Sequence, residues 1–138
     1  MKNIHKLAAI DIGSNAVRLL ITSIRINKSE TKFKKISLVR VPLRLGEDVF
    51  SKGKISDKKL KKLQKTLKAF KILMQMHEVY IFKAVATSAM REAENSTKII
   101  EDIFKKLNIK IDLISGKKEA LMIANVFLNS ICLLYTSD

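Results

Sequence analysis

The chain has 138 residues, 47% of them hydrophobic, and its single cysteine, Cys132, excludes an internal disulfide framework and favours a reducing, cytoplasmic compartment. With only 4 glycines and 1 proline it is not a low-complexity chain, so one folded domain with a core is expected. The net charge of +14 favours nucleic acid, an acidic membrane or a phosphate-rich substrate as a partner, although lysine-rich codon usage explains the excess equally well.

The first half of the chain predicts three strands. Residues 7–12 and 17–26 are apolar runs joined by a Gly-Ser-Asn turn, and residues 33–41 form a third run that ends at Pro42. Because the connections between these strands are short, an antiparallel meander is expected. Residues 43–55 contain two glycines and are predicted to form a loop.

A helix is predicted to follow, with Ser56 as its N-cap and Asp57 in its positive first turn. Apolar residues recur at helical spacing at Leu60, Leu63, Leu67, Phe70 and Met74. Lysines fill the other faces, at Lys58, Lys59, Lys61, Lys62, Lys65 and Lys68. We interpret these lysines as a solvated helix face, since arginines and aromatic residues that read nucleic acid are missing there.

The second half predicts strands that alternate with helices. Residues 79–86 read as a buried strand, residues 99–107 as part of a helix, and residues 109–113 as a fifth strand. A last helix is predicted after Gly116, and its apolar stretch, residues 120–135, is shorter than the ~20 residues that span a bilayer, so no membrane contact is expected.

The resulting order, β-β-β-α-β-α-β-α, predicts an α/β fold with a five-stranded mixed sheet and helices on both faces. The first strand is expected at the centre, antiparallel to the second, with the fourth and fifth strands parallel to it. Three polar segments then follow strand ends, at residues 11–15, 86–91 and 115–119.

Ligands bind at the carboxyl ends of strands in such sheets, where small residues let backbone N–H groups approach an anion. In these segments Arg91 can bind phosphate oxygens, while Asp11 and Glu119 can hold a divalent cation or orient water. Each segment taken alone also fits an ordinary turn.

The three segments together resemble a known family. The stretches "AAIDIGSNAVRLLI", "AVATSAMREAENS" and "DLISGKKEALMI", in this order and spacing, are similar to those of the exopolyphosphatase and guanosine pentaphosphate phosphohydrolase (Ppx/GppA) family. The resemblance covers residues 7–127 and implies an actin-like, ribonuclease-H-like lobe whose first hairpin binds phosphate.

The resemblance also implies roles for individual residues. Glu119 matches the catalytic glutamate that assists the attack of water, and Arg91 matches an arginine that contacts substrate phosphate. Asp11 is implied to face Mg²⁺, and Lys118 stands where the family often has an acidic residue. The phosphate-binding turn is implied at Gly13, Ser14 and Asn15. Arg18 either faces the substrate or points outward from its strand.

The implied activity is release of terminal phosphate from polyphosphate or guanosine pentaphosphate. Residues 1–130 are expected to form the amino-terminal lobe, and residues 131–138 a tail that resembles nothing in the family. A second lobe, and a homodimer of the full-length protein, are implied partners. Because the family's active site lies between two lobes, this chain alone is expected to have weak activity or none.

Two other functions remain open from the residues. An actin-like nucleotide-binding or kinase lobe would share the first phosphate turn, but its adenosine pocket would lie in a second lobe. A basic nucleic-acid-binding module is favoured slightly by the lysine-rich helix and disfavoured by the lack of aromatic platforms.

Overall fold

A computed structural model describes residues 4–26 and 30–115 and shows five strands and four helices there. In chain order they are β1 (Ile4–Ile12), β2 (Val17–Ile26), β3 (Thr31–Val41), α1 (Leu45–Lys52), α2 (Asp57–Met76), β4 (Ile81–Ala86), α3 (Ser88–Glu92), α4 (Ser96–Leu107) and β5 (Ile111–Leu113). None of these helices is long and apolar enough to cross a membrane. The helix predicted after Gly116 lies outside the described residues.

The five strands form one sheet in the order β3-β2-β1-β4-β5, so the first strand is central, as predicted. β2 pairs antiparallel with β1 and β3, whereas β4 pairs parallel with β1 and β5 pairs parallel with β4. Because β1, β4 and β5 run in the same direction, their carboxyl ends meet at one edge of the sheet, here called the carboxyl edge. The predicted α/β fold with a mixed sheet is confirmed.

One face of the sheet packs against all four helices. Ala8, Ile10 and Ile12 of β1 belong to a buried cluster that the helices complete. The helical residues of this cluster are Leu45, Val49, Leu63, Leu67, Phe70, Met74, Ala89, Met90, Ile99 and Ile103. Each large side chain buried there contributes about 1.5–3 kcal/mol. A helix on the other face stays a prediction, since it concerns the chain beyond residue 115.

On the opposite face a row of residues crosses the sheet near the carboxyl edge. In the register of the strands Arg40 pairs with Arg18, Arg18 with Asp11, Asp11 with Val85, and Val85 with Asp112. Paired residues point to the same face of a sheet, so these five side chains lie side by side. The row therefore brings four charged groups close to the end of β1.

Several predicted boundaries were wrong. Residues 43–55 were expected to form a loop because of Gly46 and Gly53, but residues 45–52 form α1. Burial of Leu45 and Val49 outweighs the low helix propensity of glycine, and Gly53 ends the helix with a φ of 79°. The segment predicted to connect β4 to the next helix contains a short helix of its own, α3, before α4. The first residues of β1, β3, β4 and β5 differ from the predicted ones by two or three positions.

The start of α2 confirms the predicted cap. The Ser56 hydroxyl accepts a hydrogen bond from the backbone N–H of Lys59 at 3.3 Å. Lys59 itself departs from the predicted solvated lysine face, because its side chain is only 18% exposed and lies against α1. The other lysines of that set are exposed, at Lys58, Lys61, Lys62, Lys65 and Lys68.

Candidate functional site

The β1–β2 turn, residues 13–16, lies at the carboxyl edge. The Gly13 N–H donates to the Ala16 carbonyl oxygen at 3.0 Å and closes the turn. A Cβ added at Gly13 would lie 3.0 Å from that same oxygen, so the close approach favours glycine. Within the described residues no hydrogen bond uses the backbone N–H of Ser14 or Asn15. These two N–H groups are available to an anion.

Asp11 and Arg18 form an ion pair across the two strands that flank this turn. Nη2 of Arg18 donates to Oδ2 of Asp11, and the two residues are direct partners in the β1–β2 register. Asp11 is buried, and its Oδ1 has no hydrogen-bond partner within the described residues. The Arg18 side chain is 53% exposed, so it keeps donors that face solvent. Its contact with substrate stays a prediction.

The segment after β4 packs directly onto the β1–β2 turn. The Thr87 N–H donates to the Ile12 carbonyl oxygen at 3.2 Å. The hydroxyl oxygens of Ser14 and Ser88 lie 2.9 Å apart and share a hydrogen bond. Two of the three polar segments predicted to meet at one sheet edge are thus joined by hydrogen bonds.

Arg91 connects the second polar segment to the end of β5. Its backbone N–H donates to Thr87 O at 3.0 Å, and its Nη1 donates to the Ile114 carbonyl oxygen at 3.0 Å. The Ile114 N–H in turn donates to Ala86 O at 3.0 Å, which places the beginning of the third segment at the same edge. The Arg91 side chain is 42% exposed, so further guanidinium donors can reach an anion.

The predicted catalytic glutamate, Glu119, lies outside the described residues, as do Gly116 and Lys118. The third segment is described only as far as Ser115. The role that the resemblance implies for Glu119 stays a prediction.

The start of α1 also contacts the β1–β2 turn, which the sequence reasoning missed. The Arg44 N–H donates to Asn15 O, and the Gly46 N–H donates to Ser14 O, both at 2.9 Å. A Cβ at Gly46 would lie 3.1 Å from the Ser14 Cβ, so this glycine permits a close approach. The one available sequence signal was the glycine at position 46. A glycine in such a segment is equally typical of a loop.

Arg44 adopts a left-handed conformation with a φ of 53°, which is uncommon for a residue with a side chain. Its carbonyl oxygen accepts a hydrogen bond from the Lys59 ammonium at 2.6 Å. Lys59 also pairs with Asp48 at 3.1 Å and with Glu47 at 3.4 Å. Hydrogen bonds on both sides of Arg44 therefore hold the strained residue against the turn.

Asp48 is the acidic residue that the contacts of Lys59 and Ser56 share. Hydrogen bonds from the Ser56 side chain and backbone N–H, together with the nearby Lys59 ammonium, lower the pKa of Asp48 from 3.8 to about 2, although burial opposes the shift. The carboxylate consequently stays ionised at all but strongly acidic pH. It joins α1, the N-cap of α2 and Lys59 beneath the β1–β2 turn.

Of the two carboxylates predicted to hold a divalent cation, Asp11 and Glu119, only Asp11 lies within the described residues. No three His, Cys, Asp or Glu side chains gather there in an arrangement that could hold a metal ion. Mg²⁺ does not require such a cluster, because it keeps several waters and takes one or two carboxylates with substrate phosphates. The buried, unpartnered Oδ1 of Asp11 fits that limited role.

The sheet order and the turn at its carboxyl edge define an actin-like, ribonuclease-H-like lobe, and solved structures agree. The chain matches the Aquifex aeolicus member of the Ppx/GppA family with a TM-score of 0.76 and 30% identity, over 84% of this chain and 37% of that chain. It matches an exopolyphosphatase from Cytophaga hutchinsonii with a TM-score of 0.75 and 31% identity, over 84% of this chain and 36% of that chain.

The model of the Ppx/GppA phosphatase family matches residues 24–132, and the chain belongs to this family. It is 33% identical over 122 residues to a bifunctional 3-dehydroquinate synthase/phosphatase of Fusobacterium nucleatum, covering 86% of this chain and 18% of that protein. It is 30% identical over 115 residues to exopolyphosphatase 1 of Mycobacterium tuberculosis, covering 83% and 33% respectively. The chain thus spans a third or less of the length of these two relatives.

Proposed function

We propose that this chain is the amino-terminal lobe of a phosphohydrolase that releases terminal phosphate from inorganic polyphosphate or guanosine pentaphosphate. The β1–β2 turn carries the proposal, because it offers the N–H groups of Ser14 and Asn15, which no described residue engages, at the carboxyl edge. Arg18 and Arg91 lie at the same edge with partly exposed guanidinium groups. Membership in a phosphatase family supports the same reading.

In this proposal the turn binds the terminal phosphoryl group. The N–H groups of Ser14 and Asn15 donate to its oxygens, and Gly13 allows the backbone to approach closely. Arg91 donates to another phosphate oxygen while its Nη1 stays on the Ile114 carbonyl. Phosphoryl transfer depends mainly on positioning and charge neutralisation, which are the contributions that these groups make.

Glu119 is proposed to accept a proton from the attacking water, as the resemblance implies. Mg²⁺ is the proposed cofactor, with Asp11 Oδ1 as the residue atom that would hold it. When bound, the ion would neutralise charge on the phosphate oxygens. The protein's own contribution is to hold the buried Asp11 side chain beside Arg18 at the end of β1.

The remaining parts of the proposal concern the full-length protein. A second lobe is proposed to close the site, in line with the share of the relatives that this chain covers. The cytoplasmic location is supported by the single cysteine. The homodimer stays a prediction of the resemblance.

The experiment that tests the site is a titration of the ¹⁵N-labelled chain with orthophosphate and pyrophosphate, read by amide chemical shifts. We expect the largest shifts at Gly13, Ser14, Asn15 and around Arg91. As a control, Lys62→Gln removes an exposed charge from α2 and should leave these shifts and the affinity unchanged. Shifts confined to the exposed lysines of α2 would contradict the proposal and support a diffuse polyanion site on that helix.

A further inference from the structure

Arg40 and Arg18 stand directly opposite each other in the antiparallel pair of β3 and β2. Residues so paired point to the same face with Cβ atoms about 5 Å apart, and like charges in this position repel. Both residues lie near the carboxyl edge, in the row that continues to Asp11. Because Asp11 already pairs with Arg18, the charge of Arg40 is the one left without a partner within the described residues.

No carboxylate on the two strands provides that compensation. β2 and β3 contain no Asp or Glu, and their cationic residues are Arg18, Arg25, Lys32, Lys34, Lys35 and Arg40. Asp11, the nearest carboxylate in the row, is already bonded to Arg18 through Oδ2. The Arg40 side chain is exposed and has no hydrogen bond or ion pair within the described residues. Its five donors therefore face solvent.

The positions of the arginines also favour an anion site at the carboxyl edge. Four of the five arginines lie at or beside the carboxyl edge: Arg18, Arg40, Arg44 and Arg91. The fifth, Arg25, lies seven residues from Arg18 along β2 and pairs with Lys32 and Ile4. Guanidinium groups bind phosphate through two parallel hydrogen bonds, which lysine does not do.

We propose that Arg40 and Arg18 form a second anion subsite, which binds the inner phosphoryl groups of a phosphoanhydride chain whose end lies in the β1–β2 turn. This proposal rests on the proposed function and extends it. β3 is two strand spacings, about 10 Å, from β1, so an elongated ligand is needed to bridge the turn and Arg40. A single phosphate ion bound in the turn does not reach Arg40, whereas a chain of phosphates does.

The test is a calorimetric or chemical-shift titration of the full 138-residue chain with orthophosphate and with tripolyphosphate. Arg40→Gln should weaken tripolyphosphate binding about fivefold to tenfold, the size of one exposed charge-assisted contact, and leave orthophosphate binding unchanged. Arg40→Lys keeps the charge without the planar fork and should lose part of that affinity. Arg25→Gln removes the same charge from the far end of β2 and is the matched control.

Guanosine pentaphosphate, as a third ligand, separates the two sources of such a chain. If Arg40→Gln loses as much affinity for guanosine pentaphosphate as for tripolyphosphate, the subsite also binds nucleotide polyphosphates. If it loses affinity for tripolyphosphate alone, the subsite is specific for inorganic polyphosphate. Both outcomes support the subsite.

Three outcomes would overturn it. Unchanged tripolyphosphate affinity in Arg40→Gln, with orthophosphate still bound at the turn, removes the subsite and spares the proposed function. An equal loss in Arg25→Gln shows diffuse attraction by net charge. If the unmodified chain binds neither ligand, the proposed function fails and the subsite fails with it.

Discussion

The ammonium of Lys59 donates to the carbonyl oxygen of Arg44 at 2.6 Å, although the two residues belong to different helical segments. Arg44 is the N-cap residue of α1 and has a left-handed conformation, and its N–H donates to the Asn15 carbonyl oxygen of the β1–β2 turn. Lys59 lies in the first turn of α2 and is also paired with Asp48. A chain of contacts thus runs from α2 through Arg44 to the turn that we propose binds phosphate.

Lys59→Met should lower the free energy of unfolding by about 2 kcal/mol, because a partly buried charged donor is lost and Asp48 keeps an unpaired charge. Urea denaturation monitored by circular dichroism measures the change. Lys62→Met, an exposed neighbour on the same helix, should change stability by less than about 0.5 kcal/mol. Equal effects of the two substitutions would show that the Lys59 contacts contribute nothing.

The lowered pKa of Asp48 predicts a pH dependence of stability. Its pKa is about 2 in the folded chain against an ordinary 3.8, so the stabilisation is complete above pH 4 and is lost as the pH falls toward 2. The difference corresponds to about 2 kcal/mol. The free energy of unfolding, measured at several pH values, should show this loss. In Asp48→Asn the contribution of Asp48 to the pH dependence should be absent. Asp57→Asn, at an exposed carboxylate in α2, serves as the control.

Gly13→Ala should weaken phosphate binding and lower stability by about 1–2 kcal/mol, because the new Cβ would lie 3.0 Å from the Ala16 carbonyl oxygen and displace the turn. The measurements are thermal unfolding and an orthophosphate titration. Gly53→Ala is the comparison, since its φ of 79° makes it costly by about 1 kcal/mol at a position outside the turn. Weakened phosphate binding in Gly53→Ala as well would mean that lost stability, not the turn, explains the effect.

Glu119→Gln in the full-length protein should reduce turnover ~100-fold or more, because the proton acceptor that we propose here would act mainly in the transition state. Substrate affinity should change little. Arg91→Ala should weaken binding as well, through the lost contact to phosphate. Phosphate release from polyphosphate and guanosine pentaphosphate, with Mg²⁺ present, is the assay. Near-normal turnover in Glu119→Gln would remove this residue from the mechanism, and the present chain alone should show little activity with or without the change.

The sheet and its carboxyl edge followed from local patterns in the sequence. Short turns between β1, β2 and β3 predict antiparallel pairing, and helical crossovers predict that β4 and β5 run parallel to β1. The polar segments at residues 11–15 and 86–91 were therefore expected at one edge, and the Ser14–Ser88 hydrogen bond confirms their contact.

The contacts of Arg44, Lys59 and Asp48 that hold the β1–β2 turn in place were not predictable in the same way. Lys59 follows the spacing of the exposed lysines of α2, and only its contacts with Asp48 and Glu47 of α1 and with the Arg44 carbonyl oxygen distinguish it. The helix α1 depends on the burial of Leu45 and Val49 against distant residues, which propensity does not report. The left-handed conformation of Arg44 is likewise imposed by partners on both sides. These features arise from tertiary contacts between segments far apart in sequence.

If the proposed site binds both Mg²⁺ and phosphate, the ion pair between Asp11 and Arg18 would couple these two binding events. While Arg18 holds Oδ2, it partly cancels the charge with which Asp11 would attract a cation. An anion that draws the guanidinium away restores that charge, so each ligand should raise the affinity for the other by the same factor. Phosphate titrations with and without Mg²⁺ would measure this factor, and Arg18→Gln should bring it closer to one. The contact between Arg18 and Asp11 would thus compete with both ligands, and both would bind more tightly once it is broken.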